Sequence, residues 1–336
     1  MALPATAARF LVRQRERLRT FGVRPRIALP EGAVARVASA AAELVRQQVC
    51  EPVVVGRATG GSDGAPCVQP AESPFLAKYA RLLWERRRAR GVSENEALEQ
   101  AARPLEFAAL MVAAGDAEAM VAGAAHATHE IVRVSEEIIE PQQGVRRLAG
   151  AVLMAVRDAA YGHQGLLVFA DPALVIRPTA SELADIAIAA AGLARHLLEA
   201  EPRVALLSFS TKGSAQHREV NRVLEALRCV KVRAPGLLCD GELQADAALA
   251  PAAGLSKAPG SPVAGRANTL VFPDLHSASI GYRLVERLGG AVRLGLLVLG
   301  ARRPVNIVWR GCSTEDIVHT AVITAAQVAS ARQASG

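Results

Sequence analysis

Short apolar segments that alternate with longer helical segments are the feature that most constrains how this chain folds. Residues 26–32 have the composition of a strand that ends in a turn, and residues 33–48 then have helical composition. Further short apolar segments follow at residues 52–56 and 119–123. Strands that alternate with helices are typical of parallel β-α-β units, so the chain is predicted to have an α/β fold.

The same alternation begins again after about residue 145, which predicts a second domain. A strand is expected at residues 165–171, followed by a periodic helix at residues 179–199 and a strand at residues 203–210. Further strands are expected at residues 237–240, 269–272, 294–299 and 306–309, and a closing helix at residues 314–332. A length of 336 residues agrees with two domains of ordinary size.

Composition excludes several classes of protein. Hydrophobic residues make up 51% of the chain and the mean hydropathy is +0.20, but no apolar run of 18 residues is free of Arg, Glu or His, so no transmembrane helix is expected. Arginines occur throughout residues 1–20 and leave no apolar segment for a signal peptide, so we expect a cytoplasmic protein. The five cysteines are widely spaced and include no C-x-x-C pair, which predicts free thiols rather than disulfides or a zinc cluster.

The positive charge of the chain comes almost entirely from arginine. The formal net charge is +7, and only four of the 39 basic residues are lysines: Lys78, Lys212, Lys231 and Lys257. The sequence contains no basic stripe interleaved with aromatic residues, no helix-turn-helix and no zinc finger, so nucleic acid is not an expected partner. The positive net charge agrees instead with a small anionic substrate.

A hydroxyl-rich loop follows one of the strands predicted in the second half of the chain. The loop contains Ser210, Thr211, Lys212 and a glycine, and helical composition begins shortly afterwards. Backbone N–H groups, hydroxyls and a helix N-terminus together are typical of an anion site. A turn in which Ser214 caps the helix fits the same residues, and the sequence leaves both interpretations open. Lys212 and Lys257 both lie in glycine-containing loops of a chain that otherwise prefers arginine, which favours the anion site.

The C-terminal strand-turn-helix segment carries an arginine and a carboxylate close together. Arg310 lies at the end of the predicted strand, and Asp316 lies in the first turn of the closing helix. Ser313 and Asp316 have the spacing of a capping box, so the carboxylate is either a helix cap or a group that handles a proton next to Arg310. A metal site is not expected, because Arg133 stands where the H-E-x-x-H motif that begins at His129 needs its second histidine.

These segments, together with residues 26–32, 115–123, 240–248 and 281–283, resemble the phosphate acetyltransferase branch of the phosphate acyltransferase family. The resemblance covers about residues 24–332, with several motifs in the same order. It implies reversible transfer of an acyl group, acetyl above all, between CoA and inorganic phosphate. CoA, acyl-CoA, phosphate and acyl phosphate are then substrates, and neither an organic cofactor nor a metal is implied.

The resemblance also implies an architecture. The expected fold has two α/β/α three-layer domains of the isocitrate and isopropylmalate dehydrogenase type, with the active site in the cleft between them. Residues 1–144 and 297–336 are expected to form the first domain, and residues 145–296 the second, so the last strand and helix return to the first domain. A homodimer is implied as well, and neither nucleic acid nor a membrane is implied as a partner.

The residues that match the motifs of the family acquire expected roles from the resemblance. Asp316 matches the base that deprotonates the CoA thiol, which is mostly protonated at neutral pH because the pKa of a thiol is ~8.5. Arg310 matches the residue that holds the acyl phosphate and the charge that develops on it. The other matches are expected to bind CoA or phosphate, or to line the acyl phosphate site: Arg87, Arg133, Thr128, Tyr282 and Arg283. Without the family, Arg87 would be interpreted as a solvated charge on a helix.

The most serious departure from the family pattern is at one position. Where the family has Ser-Arg-Gly, this chain has Trp309, Arg310 and Gly311, and an indole N–H is a bulkier donor than a serine hydroxyl. With Trp309 among the residues that line the substrate, the substitution predicts a slow enzyme or an altered acyl preference. The alternatives are a catalytically impaired homologue that binds CoA or acyl phosphate in a regulatory role, and a nicotinamide-dependent dehydrogenase of similar fold, for which no sequence fingerprint is present.

Overall fold

The computed structural model describes residues 3–22, 24–57 and 64–335. The strands in these parts of the chain are β1 (Arg26–Leu29), β2 (Glu51–Val55), β3 (Cys67–Val68), β4 (Ala119–Ala122), β5 (Ala149–Ala155), β6 (Leu166–Ala170), β7 (Arg203–Leu207), β8 (Leu238–Leu243), β9 (Thr269–Val271), β10 (Val292–Leu299) and β11 (Val305–Ile307). The helices are α1 (Ala5–Phe21), α2 (Ala35–Gln47), α3 (Leu76–Arg87), α4 (Glu94–Ala101), α5 (Pro104–Ala114), α6 (Thr128–Val134), α7 (Ala180–Leu198), α8 (Arg218–Arg233), α9 (Ala245–Leu249), α10 (Pro251–Lys257), α11 (Leu275–Leu288) and α12 (Thr314–Ser335). None of the helices in the described residues is long and apolar enough to cross a membrane.

The chain divides into two compact units. The flanking unit consists of the described parts of Leu11–Leu148 and Gly300–Gly336, and the central unit of the described parts of Met1–Phe10 and Ala149–Leu299. Each unit has its own strands and its own covering helices, as an α/β fold requires. The cleft that the sequence predicts between two domains stays a prediction.

The flanking unit is built on five parallel strands in the order β3-β2-β1-β4-β11. Ala28 of β1 pairs with Met120 of β4, and Met120 pairs with Val305 of β11 on the other side. The strands β1 and β4 are buried along almost their whole length, as strands covered by helices on both faces are. Because these three strands are parallel neighbours, their carboxyl ends lie at one edge of the sheet.

Two groups of helices cover the strands of the flanking unit. The helix α12 packs against α2, β4 and β11, whereas α5 packs against β1, β2 and β4 together with α3 and α4. Residues 105–112 of α5 are all buried, and α12 carries apolar residues around its whole circumference. A helix that is apolar on most sides has to be covered on most sides, which agrees with the burial of α5 and of the middle of α12.

The central unit mixes antiparallel and parallel strands in the order β10-β5-β6-β9-β7-β8. The strands β10, β5 and β6 pair in antiparallel fashion, and the remaining neighbours are parallel. The antiparallel pairs differ from the purely parallel units that the alternation of strands and helices predicts. The sequence analysis also missed β5, since seven consecutive buried residues without polar alternation do not distinguish a strand from a buried helix.

Helices pack against the strands of the central unit at several points. The helix α7 packs against β6, β9 and β10, α8 packs against β7 and β8, and α11 packs against β6. The predicted helix at residues 179–199 is confirmed as α7, with Thr179 as its N-cap. The carboxyl ends of the parallel strands β7 and β9 are again followed by polar loops, which is where α/β proteins place binding residues.

Candidate functional site

Three loops at the carboxyl edge of the flanking unit's sheet contain or adjoin three of the residues that matched the family motifs, namely Thr128, Arg310 and Asp316. They follow β1, β4 and β11, which are neighbours in the sheet. The loop after β1 contains Glu31, the loop after β4 covers residues 123–127, and the loop after β11 covers residues 308–313. The geometry of the three loops determines which polar groups are available for chemistry.

The side chain of Glu31 holds the loop after β4. Its Oε2 accepts hydrogen bonds from the N–H groups of Gly123 at 2.9 Å and Ala124 at 2.7 Å. Its Oε1 accepts hydrogen bonds from the N–H groups of Ala125 and His126, both at 2.8 Å, and lies 3.0 Å from Nδ1 of the His126 ring. Four consecutive backbone N–H groups therefore converge on one buried carboxylate.

The pKa values of this pair follow from their contacts. Burial by itself raises the pKa of Glu31, but the hydrogen bonds from the His126 ring and from the backbone outweigh burial and hold the pKa below its ordinary value. The hydrogen bond to Glu31 raises the pKa of His126, and the carboxylates of Glu130 and Glu106 act in the same direction. Glu31 is therefore an ionised carboxylate at neutral pH.

Gly123 allows the loop after β4 to lie directly against the end of β11. Its φ is +118°, and a Cβ atom at this position would lie 2.2 Å from the carbonyl oxygen of Val308. The N–H of Val308 in turn donates to the carbonyl of Ala122 at 2.8 Å. Only glycine combines this backbone conformation with such a close approach, so a larger residue at this position would separate the two loops.

Arg310 lies in a tight turn and extends its side chain into solvent. The turn is closed by a hydrogen bond from the Cys312 N–H to the Trp309 carbonyl at 2.8 Å, and Arg36 of α2 donates to the Arg310 carbonyl at 3.0 Å. The Arg310 guanidinium itself makes no hydrogen bond or ion pair with the residues that the structure describes. The pKa of Glu130 is held low, first by a hydrogen bond from the Ala127 N–H and in addition by the charge of Arg310.

Asp316 forms the capping box that its spacing predicts. Its Oδ2 accepts hydrogen bonds from the Ser313 N–H at 2.8 Å and the Ser313 hydroxyl at 3.0 Å, and the Asp316 N–H donates back to Ser313 Oγ at 3.1 Å. Within the described part of the chain, Oδ1 makes no hydrogen bond. One oxygen of the carboxylate therefore caps α12, and the other is available for a proton.

Arg36, Glu31, His126 and Cys312 are neighbours of this site that the sequence analysis did not single out as functional. Burial raises the pKa of the Cys312 thiol, while the charge of Arg36 opposes that change. A thiol that is protonated and buried is a poor nucleophile, so Cys312 acts here as a packing residue. The weak sequence signal for Glu31 was its position in the turn after a strand, whereas Arg36 lies further along the chain, in the first turn of α2.

Arg87 and Arg133 come together on one carboxylate in the same unit. Arg87 Nη2 lies 3.4 Å from Glu137 Oε2, and Arg133 Nη1 lies 3.3 Å from the same oxygen. Arg87 also donates to Gln100 at 2.7 Å and is only 17% exposed, so it is not a solvated charge on a helix. Arg133 is half-exposed and lies 3.7 Å from the buried Glu106.

Thr128 and Trp309 complete the predicted residues of the flanking unit. Thr128 is the first residue of α6 and directly follows the loop that Glu31 holds. Trp309 is half-buried and directly precedes Arg310. The flanking unit therefore contains Arg87, Thr128, Arg133, Trp309, Arg310 and Asp316, and the remaining predicted residues lie in the central unit.

In the central unit, the hydroxyl-rich loop wraps around a carboxylate of the protein itself. The buried Ser210 hydroxyl donates to Glu242 Oε1 at 2.8 Å, and the Gly213 N–H donates to the same oxygen at 2.8 Å. The Lys212 ammonium binds Asp240 and the carbonyl of Gly241. The donors that predicted an anion site thus hold an internal anion, and their binding of a substrate stays a prediction.

Thr211 and Lys257 meet at Gln244. The Gln244 N–H donates to Thr211 Oγ1 at 2.9 Å, and Lys257 Nζ donates to Gln244 Oε1 at 3.1 Å and to Asp246 at 2.6 Å. These contacts connect the loop after β7 to the end of β8 and to α10. Thr211 and Lys257 therefore both have a structural function, and their contact with a substrate stays a prediction.

Tyr282 and Arg283 lie on α11 of the central unit. Tyr282 is 5% exposed, packs in the core of this unit and accepts a hydrogen bond from Arg293 at 3.2 Å. The Arg283 guanidinium lies 4.6 Å from the centre of the Tyr282 ring and donates to the carbonyl of Ser279 at 2.9 Å. The predicted contact of these two residues with substrate stays a prediction.

One of the two histidines near the β4 loop already contacts a carboxylate. The ring of His126 lies 3.0 Å from Glu31, whereas His129 is exposed on α6. Across the residues that the structure describes, no three side chains of His, Cys, Asp or Glu are grouped so as to hold a metal ion.

Comparison with known proteins places these residues in a family. The family model described as phosphate acetyl/butaryl transferase matches residues 11–325. The phosphate acetyltransferase of Thermoanaerobacterium thermosaccharolyticum is 41% identical over 310 residues, which covers 90% of this chain and 94% of the relative. The phosphate acetyltransferase of Paracoccus denitrificans is 42% identical over 303 residues, with the same coverage of both chains.

Solved structures agree with this likeness. A phosphotransacetylase from Streptococcus pyogenes superposes with a TM-score of 0.88 at 37% identity, and covers 96% of this chain and 98% of its own. A 4-hydroxythreonine-4-phosphate dehydrogenase from Burkholderia phymatum has a TM-score of 0.51 at 14% identity, which shows a shared fold alone and confirms the dehydrogenase-like α/β class. Because the family model and these relatives match almost the whole length of the sequence, the chain belongs to the phosphate acetyl/butaryl transferase family of enzymes.

Proposed function

We propose that this chain catalyses the reversible transfer of an acetyl group between CoA and inorganic phosphate. Its relatives named phosphate acetyltransferase, at about two-fifths identity over nine-tenths of the chain, support this activity. The single observation that carries the proposal is the position of Arg310 and Asp316 on one loop-helix segment. Among the described residues, the Arg310 guanidinium has no hydrogen bond or ion pair, and Asp316, six residues later, has one carboxylate oxygen without a hydrogen bond, at the carboxyl edge of a parallel sheet.

In the proposed reaction, Asp316 is the general base. Its Oδ1 takes the proton of the CoA thiol, while the hydrogen bonds of Ser313 keep Oδ2 in place and so orient the carboxylate. The thiolate attacks the carbonyl carbon of acetyl phosphate, a C–S bond forms, and the C–O bond to phosphate breaks. Phosphate leaves with the electron pair of that bond, so no redox step and no further reactant is needed.

Arg310 balances the charge of the acyl phosphate in this scheme. Its planar guanidinium matches a phosphate group through two parallel hydrogen bonds, and it stabilises the negative charge that grows on the leaving oxygen. Because the side chain has no ion pair to give up in the described structure, it can bind phosphate without first breaking an internal contact. Thr128, at the start of α6, is proposed to contact the same group.

Arg87 and Arg133 are proposed to bind the phosphates of CoA. Both contact Glu137, so an incoming phosphate would replace that carboxylate at the half-exposed Arg133, while Arg87 stays bonded to Gln100. The role in binding proposed for Ser210, Thr211, Lys212 and Lys257 is weaker, since each already contacts a polar side chain of the protein. From the family motifs alone, Tyr282 and Arg283 are likewise proposed to line the acyl phosphate site.

The tryptophan at position 309 supports a second candidate function. A half-buried indole next to Arg310 replaces the serine of the family pattern, and its volume would crowd an acyl group at that place. We propose that it slows acetyl transfer or favours another acyl group. If the indole closes the site altogether, the protein would bind CoA or acyl phosphate without turnover and act as a regulatory subunit.

We also propose that two copies of the chain associate. Ile280, Leu284 and Leu288 lie four residues apart on α11 and are 60%, 52% and 83% exposed, which makes one apolar stripe along the helix. A stripe of this kind is typical of a surface that a second protein covers. The molar mass in solution, measured by light scattering, distinguishes the dimer from the monomer. The cytoplasm remains the proposed location.

The activity is tested by following acyl-CoA formation with CoA and acetyl, propionyl or butyryl phosphate. The proposal expects turnover that depends on both substrates and is fastest with one of these acyl groups. Binding of CoA in equilibrium dialysis, without product from any of the three acyl phosphates, would contradict the enzymatic proposal and favour the regulatory alternative.

A further inference from the structure

The loop between β4 and α6 has no polar side chain of its own in its first three positions. Gly123, Ala124 and Ala125 offer only backbone groups, and their N–H groups point away from any helix or strand ladder. Buried N–H groups without a partner cost folding free energy, so something has to accept them. In this structure the acceptor is the carboxylate of Glu31, which comes from the loop after the neighbouring strand β1.

The hydrogen bonds of Glu31 are complete. Two backbone N–H groups bind each of its oxygens at 2.7 to 2.9 Å, and the ring of His126 adds a fifth contact at 3.0 Å. Glu31 is 5% exposed, so water does not compete for these bonds to any large extent. The four N–H groups are therefore occupied and do not form a binding site for a substrate anion.

The position of the loop determines the position of residues on both sides of it. Its last residue precedes Thr128, and Gly123 lies against the Val308 carbonyl, one residue before Trp309 and two before Arg310. A displacement of the loop would therefore move Thr128 and the end of β11 together. Displacements of about 1 Å among reacting groups reduce rates by up to ~10²-fold.

We propose that Glu31 is a positioning residue for acyl transfer, which holds the loop at residues 123–127 so that Thr128 and the Arg310 turn are aligned. Glu31 does not touch the substrate and acts only through the loop. This inference rests on the acetyl transfer proposed above. It goes beyond that proposal because it assigns a function in the reaction to a buried carboxylate outside the Arg310–Asp316 pair.

The experiment compares Glu31→Gln with Asp116→Asn in the full-length protein. Glutamine keeps the shape of glutamate, but its NH₂ group cannot accept a hydrogen bond, so two of the four backbone bonds are lost. Asp116 precedes β4 at the opposite edge of the sheet, where it accepts hydrogen bonds from Lys78 and Tyr79. It is a matched control for the loss of a partly buried carboxylate from the same unit.

Three measurements separate positioning from folding. Amide hydrogen exchange at residues 123–126 should accelerate in Glu31→Gln and stay unchanged in Asp116→Asn. The value of kcat should fall by ~10- to 100-fold in Glu31→Gln, with KM for CoA and for acetyl phosphate within ~3-fold of the native values, as expected for misplaced groups that still bind. Asp116→Asn should lower Tm without changing kcat.

A second variant covers the case in which Glu31→Gln does not fold. His126→Ala removes only the fifth contact, leaves all four backbone bonds and should lower kcat in the same direction by a smaller factor. Accelerated exchange with native kcat, or a rise in KM alone, would overturn the positioning function. If the native protein does not transfer acyl groups, the proposed activity is wrong. If amide exchange at residues 123–126 is unchanged in Glu31→Gln, Glu31 does not hold the loop, whatever the activity of the native protein.

Discussion

The two units of this protein hold their polar loops in the same way but differ in the charges that they leave available. In the flanking unit, Glu31 accepts the N–H groups of the loop after β4, and in the central unit, Glu242 accepts a hydroxyl and an N–H of the loop after β7. In both, a buried glutamate from a neighbouring segment accepts hydrogen bonds from the loop, Glu31 from the loop after β1 and Glu242 from β8. Since these N–H groups are occupied in both units, the free charges decide which loop can bind an anion.

The cations near the two loops differ in this respect. Lys212 and Lys257 of the central unit bind Asp240 and Asp246, whereas the Arg310 guanidinium of the flanking unit has no ion pair within the described residues. Half-exposed ion pairs such as that of Lys257 contribute only ~0 to 1 kcal/mol, so a substrate can replace them, but each replacement reduces the affinity. Arg310, which has no ion pair among the described residues, is therefore a better candidate for binding the reacting phosphate than Lys212 or Lys257.

The largest expected effect tests whether Asp316 does more than cap α12. Asp316→Asn should reduce kcat by ~10² to 10⁴-fold, because the amide cannot take the thiol proton. Its matched control is Ser313→Ala, which removes the capping hydroxyl but leaves the carboxylate, and should lower Tm more than it lowers kcat. Steady-state formation of acetyl-CoA and thermal unfolding measure both quantities. Native turnover in Asp316→Asn would reduce this residue to a helix cap.

The next effect tests the free guanidinium. Arg310→Lys keeps the charge but loses the planar pair of donors, and should reduce kcat/KM for acetyl phosphate by ~10² or more. Arg302→Lys is the control, since Arg302 is an exposed arginine that precedes β11 and binds Glu140 at 3.3 Å. If the two lysine variants have the same kinetics as the native protein, Arg310 supplies no more than a general positive potential.

A gain of activity is expected at Trp309. Trp309→Ser restores a small hydroxyl donor and the space for an acetyl group, and one donor to a developing charge is worth ~10² to 10³ in rate, so we expect at least ~10-fold faster acetyl transfer. The control is Trp84→Ser, which changes the other tryptophan of the chain, on α3. Native turnover at ordinary enzyme rates, with no gain from serine, would show that the indole does not limit the chemistry.

The smallest effect concerns the pair of His126 and Glu31. The hydrogen bond to Glu31 raises the pKa of His126 in the folded protein. The resulting stability is fully present below the ordinary pKa of histidine, ~6.5, and is lost as the pH rises through the raised folded-state value. The free energy of unfolding should therefore exceed that of His126→Asn by up to ~1 kcal/mol at low pH and by less at high pH. Urea unfolding from pH 5.5 to 9 measures the difference, with His129→Asn as control, and a difference that grows with pH would contradict this assignment.

Local spacing was sufficient to predict several parts of the site. Ser313 and Asp316 lie three residues apart on one helix turn, and this distance alone determines a capping box. The parallel strands other than β3 were predicted because each is a short apolar run between turns. Short apolar runs and fixed spacings depend on neighbouring residues only, so they are visible without a fold.

The sequence by itself therefore determined the fold class, the main strands and helices, and the family to which the chain belongs. Only the tertiary structure decided which polar groups are occupied and which are free. Glu31 meets N–H groups 92 to 95 residues further along the chain, and Arg87 and Arg133 meet on Glu137. Such contacts depend on the order of the strands and the packing of separate helices. A buried carboxylate needs hydrogen-bond or ionic partners, and the tertiary structure determines which donors lie next to it.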